Sequence, residues 1–332
     1  MKTFDGQIYE IDLDEHPSTR WDEVGEVFQD EIGELLDDCV AQADELIETS
    51  PYANVIRTLL GPLGRVAGVI SGVLGQEYPT EIKGLASAAN VSYPHLLLAN
   101  LMYDLSGASF LLGCSSYSTV IDGNPVLVRN LDWAMPESIG KYNLLIRFNK
   151  GNRSYLSFGI PGLVGVLSAM SPGKWATTLN MAASDDSNYN PWSGIPTLMH
   201  LRSVCDQFGG FHQFKNRIMQ YQTITPFYLH LIGSKPEQRM IIEGYGDSYS
   251  SLEAGDEPLI QTNHSVIDDS APEVDANTHE RYEAIKRRLT NKHPKNLEEA
   301  LSILKRKPVT YEGTIHSMAL NPSASEYIFL TQ

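Results

Sequence analysis

Gly113-Cys114-Ser115-Ser116-Tyr117-Ser118-Thr119-Val120-Ile121-Asp122-Gly123-Asn124-Pro125-Val126-Leu127-Val128-Arg129-Asn130-Leu131-Asp132-Trp133 decides how the rest of the chain is read. From Ser115 to Val120 small polar residues mix with β-formers. Asp122-Gly123-Asn124 then reads as a tight turn, and Val126-Leu127-Val128 as the returning strand. A hairpin brings its two outer ends together. Cys114 opens the first strand, and Arg129 and Asp132 close the second, so a thiol, a cation and a carboxylate become neighbours. A guanidinium beside a thiol favours the thiolate, which is the attacking species. A carboxylate can hold and orient a protonated base, as the third member of a catalytic triad does.

No histidine stands near this stretch to be that base. If the bond between Gly113 and Cys114 is cut, however, Cys114 carries a free α-amino group. Such an amine titrates near ~7.7–8.0 in isolation and can take the thiol's proton. The expected organisation is therefore a processing boundary rather than a domain boundary. Residues 1–113 form a helical N-terminal segment, the smaller subunit after self-cleavage, and residues 114–332 form the catalytic segment that holds it.

With 332 residues, 42% of them hydrophobic and 20% charged, the chain can bury a sizeable core and is globular. A formal net charge of −16 argues against nucleic acid as a partner, because like charges repel. Cys39, Cys114 and Cys205 are too few and too scattered for a disulfide framework or a zinc site. Neither His230, His264 nor His316 stands at metal-ligand spacing with another histidine, so no metal is expected. Without a phosphate-binding glycine loop or a Gly-x-Ser-x-Gly elbow, kinase and serine-esterase chemistry fall away, and no cofactor is implied. The opening Met1-Lys2-Thr3-Phe4-Asp5-Gly6-Gln7 has no apolar run of a secretory signal, so the expected location is cytoplasmic.

Tyr9 to Leu13 alternate as a strand, and Glu23 to Glu48 carry apolar residues at helical spacing. Pro51 opens a further predicted helix to about Leu74, apolar and rich in glycine, which Arg57 and Arg65 make a poor membrane span. It reads either as a buried helix or as a surface for a membrane, a detergent or an acyl chain. Two short helices fill Pro79 to Leu105. Strands are expected at Tyr142 to Phe148, Ser154 to Phe158, Leu163 to Ala169, Ala176 to Met181, Phe227 to Gly233, Gln238 to Glu243, and around His316. Helices are expected over Ser193 to Phe208 and Gln213 to Tyr221. Asp268 to Asp275 reads as an acidic loop, Thr278 as the cap of a helix carrying Arg281, and Leu297 as the start of another helix. Such an order fits an α+β fold with sheets packed face to face between helical layers.

These pieces resemble the N-terminal-nucleophile hydrolases of the choloylglycine hydrolase type, and within them the acid ceramidase and N-acylethanolamine acid amidase group. The resemblance rests on Cys114-Ser115-Ser116 followed by Arg129-Asn130-Leu131-Asp132. Ile11-Asp12-Leu13-Asp14 with Arg20-Trp21, Glu81-Ile82-Lys83-Gly84, Leu96 to Asn100 and Gly162-Leu163-Val164-Gly165 extend it. Thr178-Leu179-Asn180, Gln261-Thr262-Asn263 and Arg281 with Ala284-Ile285-Lys286 follow in matching order. It implies a four-layer αββα sandwich and a self-processing cysteine amidase acting on lipid-like N-acyl amides, N-acylethanolamine or ceramide-like. It also implies that Asn180 and Asn263 line the site, where a neutral amide donor suits a tetrahedral oxyanion, and that Arg281 lies near the nucleophile's amine. Two departures touch substrate choice more than reaction type. Met181 stands where acid ceramidase has a glutamate, and the hairpin is one residue shorter than in the animal amidases. Two alternatives are an acyltransferase resembling isopenicillin-N acyltransferase and a lipid-binding relative without activity.

Overall fold

In the computed structural model, residues 1–49, 72–106, 112–133, 137–183, 189–190, 193–246, 248–268 and 277–331 are described. The N-terminal segment supplies β1 (Lys2–Thr3) and β2 (Ile8–Asp12), and the hairpin forms β3 (Leu112–Ile121) and β4 (Asn124–Trp133). A meander follows through β5 (Leu144–Lys150), β6 (Arg153–Gly159), β7 (Ser168–Ser171) and β8 (Trp175–Met181). Then come β9 (Phe227–Ile232), β10 (Arg239–Tyr245), β11 (Ser248–Glu253) and β12 (Leu259–Gln261), with β13 (Thr314–Asn321) and β14 (Glu326–Thr331) last.

They assemble into a six-stranded sheet, β1-β14-β13-β4-β3-β12, and an eight-stranded sheet, β11-β10-β9-β8-β7-β6-β5-β2. Alternation along each strand sorts the side chains into layers. Leu127, Met318, Leu320 and Phe329 face Leu156, Phe158, Met170 and Ile232 between the sheets. On the other side of the six-stranded sheet, Val126, Val128 and Ala319 meet Ile285 of helix Thr278–Asn291 and Leu301 of helix Leu297–Leu304. Phe148, Tyr155 and Trp175 cover the outer side of the eight-stranded sheet, under Trp21, Ile82 and Leu85 of the N-terminal helices and Leu201 of helix Thr197–Cys205. Helix, sheet, sheet, helix: the fold is the αββα sandwich. No helix among the described residues is long and apolar enough to cross a membrane.

The segment of residues 1–113 is woven into both sheets. β1 pairs with β14 at one edge, and β2 runs parallel to β5 at an edge of the other sheet. A buried ionic cluster joins the same two parts. Glu81 accepts from Arg20 (2.9 Å), Trp21 (2.7 Å) and Arg202 (3.3 Å), while Asp206 accepts from Arg202, Tyr78 and Tyr155. Burial pushes the Glu81 carboxyl up, against the pull of the two guanidiniums.

Several elements depart from the reading of the sequence. The helix expected over Glu23 to Glu48 breaks at Phe28 into Asp22–Val27 and Gln29–Thr49, which turns the Phe28 ring onto Tyr9 at 5.2 Å. The strand expected from Leu163 shrinks to β7. Asn100 and Arg202 side chains take the Gly162, Val164 and Val164 N–H backbone groups that a ladder would have used. The helix expected from Ser193 starts at Thr197, because Ile195 bridges to Thr223 and a Cβ on Gly194 would lie 2.5 Å from that backbone. β11, β12 and β14 pass unread: β11 is exposed and polar, and β12 is three residues long. The helix expected over Pro51 to Leu74 and the acidic loop of Asp268 to Asp275 lie, except at their ends, outside the described residues.

Buried histidines set the response to acid. Burial pulls His200 down to about 4, His230 to about 3, and His316 well below the ordinary value, the last with help from Arg129. Each stays neutral when folded and takes up a proton when unfolded below about pH 6.5. The stability each contributes is therefore whole above that pH and lost as pH falls toward the folded value. Burial acts the other way on Asp104, raised from 3.8 to about 6, so its contribution grows as pH falls. As pH falls below about 6.5 the three histidines lower the stability while Asp104 opposes them. Denaturant titrations between pH 7 and pH 4 should show falling stability. His230 bridges Ser116 (3.2 Å) and Ser118 (2.8 Å) between the sheets, so His230→Gln should flatten that slope by about one proton.

Candidate active site

The hairpin register places Cys114 opposite Leu131, Ser116 opposite Arg129 and Gly113 opposite Asp132. Cys114 and Arg129 share a face of the sheet, and Arg129 Nη2 donates to Cys114 Sγ at 3.3 Å. The guanidinium is fully buried and held by acceptors around its rim: Leu167 O (3.1 Å), Leu179 O (2.7 Å) and the Ser168 hydroxyl. Its direction is therefore fixed by the eight-stranded sheet behind it. Arg129 thus holds a guanidinium N–H on the Cys114 sulfur from a rigid frame.

Gly113 allows the carboxylate to approach. A Cβ there would lie 3.2 Å from Asp132 Cβ and 3.5 Å from Asp132 Oδ2, so any larger residue would push the acid away from the bond before Cys114. Thr314 Oγ1, from β13, donates to Asp132 Oδ1 at 2.6 Å and orients it.

The backbone of Cys114 is held from the other side. Its N–H donates to Asn263 Oδ1 at 2.8 Å, which also accepts from Arg281 Nη2 at 2.8 Å. Arg281 Nη1 donates to Cys114 O (2.6 Å) and Ser115 Oγ (2.8 Å). Asn263 Nδ2 donates to Met181 O at 2.9 Å. The nitrogen that a cut would free thus already faces an amide oxygen braced by a guanidinium.

Asn180 sits behind this arrangement. Its Nδ2 donates to Gln261 O (3.1 Å) and Thr262 O (3.0 Å), so the side chain fixes the turn that carries Asn263 and has no amide hydrogen left for a substrate oxygen. Thr278, expected as a cap, is the first residue of its helix, with Asn277 before it. Its Oγ1 instead accepts the Asn263 N–H at 2.8 Å, tying the Arg281 helix to the Asn263 turn. Sequence reading missed this because a threonine at a helix start ordinarily caps it. Ser168 and Thr314 were missed too; neither lies in a recognisable motif.

Cys39 and Cys205 lie in helices Gln29–Thr49 and Thr197–Cys205, and burial pushes their thiols up, to about 12 for Cys39. They are packing residues. Among the described residues no group of three His, Cys, Asp or Glu could hold a metal ion.

Between the N-terminal helices and the end of β4 lies an apolar cavity. Leu36, Leu96, Met102 and Leu163 line it together with Tyr103 and Trp133. Trp133 comes two residues after Leu131, the partner of Cys114, and so lies on the face of Cys114 roughly 7 Å further along.

No family model matches the chain. It is 23% identical over 269 residues to acid ceramidase of Heterocephalus glaber, covering 72% of this chain and 64% of that protein. To the N-acylethanolamine-hydrolyzing acid amidase of Caenorhabditis elegans it is 25% identical over 246 residues, covering 70% and 66%. The chain thus spans less than two thirds of the length of each of these curated relatives. The solved structure of the Caenorhabditis elegans N-acylethanolamine-hydrolyzing acid amidase ortholog superposes with a TM-score of 0.56 at 16% identity, covering 65% of this chain and 100% of that one. That likeness extends to the fold.

Proposed function

We propose that this homologue of acid ceramidase and of N-acylethanolamine-hydrolyzing acid amidase is itself an amide hydrolase. In this reading it matures by cutting its own chain before Cys114 and then cleaves lipid-like N-acyl amides. One observation carries the reading. The Cys114 sulfur faces Arg129 at 3.3 Å while its backbone nitrogen faces Asn263 at 2.8 Å, so nucleophile and prospective base are aimed by separate elements.

The chemistry follows from those contacts. The freed Cys114 amine takes the thiol proton, and the sulfur attacks the substrate's acyl carbon, forming a C–S bond. As the C–N bond breaks, the ammonium returns its proton to the leaving amine. Water then attacks the thioester, the amine accepts the proton, and the thiol is restored with release of the fatty acid. Asp132, oriented by Thr314, balances the ammonium. Arg281 and Asn263 keep the nitrogen in place, and Asn180 and Thr278 position Asn263. The apolar cavity receives the acyl chain. The two halves stay together after cleavage through β1, β2 and the Glu81 cluster.

Intact-mass measurement of active protein tests the processing step. Two species that meet at Gly113 and Cys114, with fatty acid released from an N-acylethanolamine, are expected. An active but uncut chain would rule out the amine base. Acyl transfer to an added amine in preference to water would make the protein an acyltransferase instead.

A further inference from the structure

Two hydrogen-bond donors stand in the cavity wall with no acceptor among the described residues. Tyr103 Oη and Trp133 Nε1 are both buried and without a partner, on side chains only 2% and 5% exposed. Every other wall group named above is hydrocarbon or a thioether. A buried donor left unpaired is destabilising, and most such groups in folded proteins are paired. Packing gives no reason to carry the Tyr103 hydroxyl here, since phenylalanine would fill nearly the same space.

Their location limits what they can meet. Trp133 shares Cys114's face at roughly 7 Å along the strand, so a group touching it lies only a few atoms from the carbon that sulfur attacks. Tyr103 approaches from the N-terminal segment. Burial, and then the charges of Cys114 and Asp104, push its phenol well above the ordinary value, so it remains a donor.

We propose that the cavity selects acyl chains bearing a hydroxyl or keto oxygen within the first few carbons of the carbonyl, and that Tyr103 and Trp133 are the donors that receive it. An unsubstituted hydrocarbon chain fills the apolar walls but leaves both donors unpaired. An oxygenated chain satisfies them at the same packing. A site built to hydrogen-bond a substrate oxygen discriminates far more strongly than one that measures hydrocarbon length.

The kinetic arm of the test rests on the amidase reading, and the binding arm does not. Parent, Tyr103→Phe and Trp133→Phe proteins are compared on dodecanoyl ethanolamide and 3-hydroxydodecanoyl ethanolamide. The parent should prefer the hydroxylated amide by about tenfold or more in kcat/KM, and the preference should fall to about one in Tyr103→Phe. In parallel, calorimetry on Cys114→Ala protein compares dodecanoate with 3-hydroxydodecanoate, with and without Tyr103→Phe. Tighter binding of the hydroxy acid, lost with the phenol, supports the proposal even if neither amide is cleaved; that result would sink the amidase reading alone. Equal affinity for the two acids, or a preference that Tyr103→Phe leaves intact, overturns it. Equal loss of kcat on both amides would assign the donors to the scissile carbonyl and overturn it as well.

Discussion

Cys114→Ala protein is expected to remain a single uncut chain and to release no fatty acid, a loss on the order of 10⁴-fold or more. The fold should survive. Cys114 is small and buried, and Arg129 loses only one of its contacts, keeping Leu167 O, Leu179 O and Ser168 as acceptors. The loss is therefore chemical rather than structural, and an unchanged denaturation midpoint checks this. Cys114→Ser keeps a hydroxyl under Arg129 but not an easily ionised group, so some cleavage can persist while turnover collapses. Full hydrolysis by Cys114→Ala would remove the nucleophile and with it the whole mechanism.

The second large effect is expected at Asn263. Replacing it with alanine removes the acceptor of the Cys114 N–H, the acceptor of Arg281 Nη2 and the donor to Met181 O. In pre-cleaved protein kcat should fall by about 10²–10³ with a smaller change in KM, as when a group acting in the transition state is lost. Asn263→Asp asks a sharper question. The shape is kept, but a carboxylate now faces the freed amine and stabilises its charged form, raising its pKa. The base form then exists only at higher pH, so the acidic limb of the kcat/KM profile should move upward. A profile with an unmoved acidic limb would mean that the Cys114 amine is not the base.

The hairpin was legible because its information is local: a turn, two alternating strands and three chemical residues at their mouths. Cys114 and Arg129 meet across the hairpin, and Gly113 lies opposite Asp132. Asn263 and Arg281 stand 149 and 167 positions from Cys114 in the chain, and only the resemblance pointed to them. Periodicity cannot reveal contacts of that range. Asn180 shows the limit of matching by residue type. It stands in the right neighbourhood, yet its amide hydrogens are spent on the Gln261 and Thr262 carbonyls, a fact that depends on the packing of two sheets. Thr278 failed for the opposite reason, because a local rule gave its hydroxyl a use that a distant backbone N–H had claimed. The cut-short strand at Leu163 shares that cause, since side chains of Asn100 and Arg202 took over its backbone groups.

β1 pairs with β14 so that Lys2 faces Thr331 and Thr3 faces Leu330. Lys2 and Thr331 are therefore about one strand spacing apart, ~5 Å, and a short flexible linker could join them. The order of the polypeptide can then be rotated without changing a contact. Opened between Gly113 and Cys114, the rotated chain would begin at the nucleophile and end at the residue that normally precedes it. A tag removed by a protease would expose the α-amine directly. On the proposed mechanism catalysis would be separated from self-cleavage, and variants at Asp132 or Asn263 could be assayed for turnover alone.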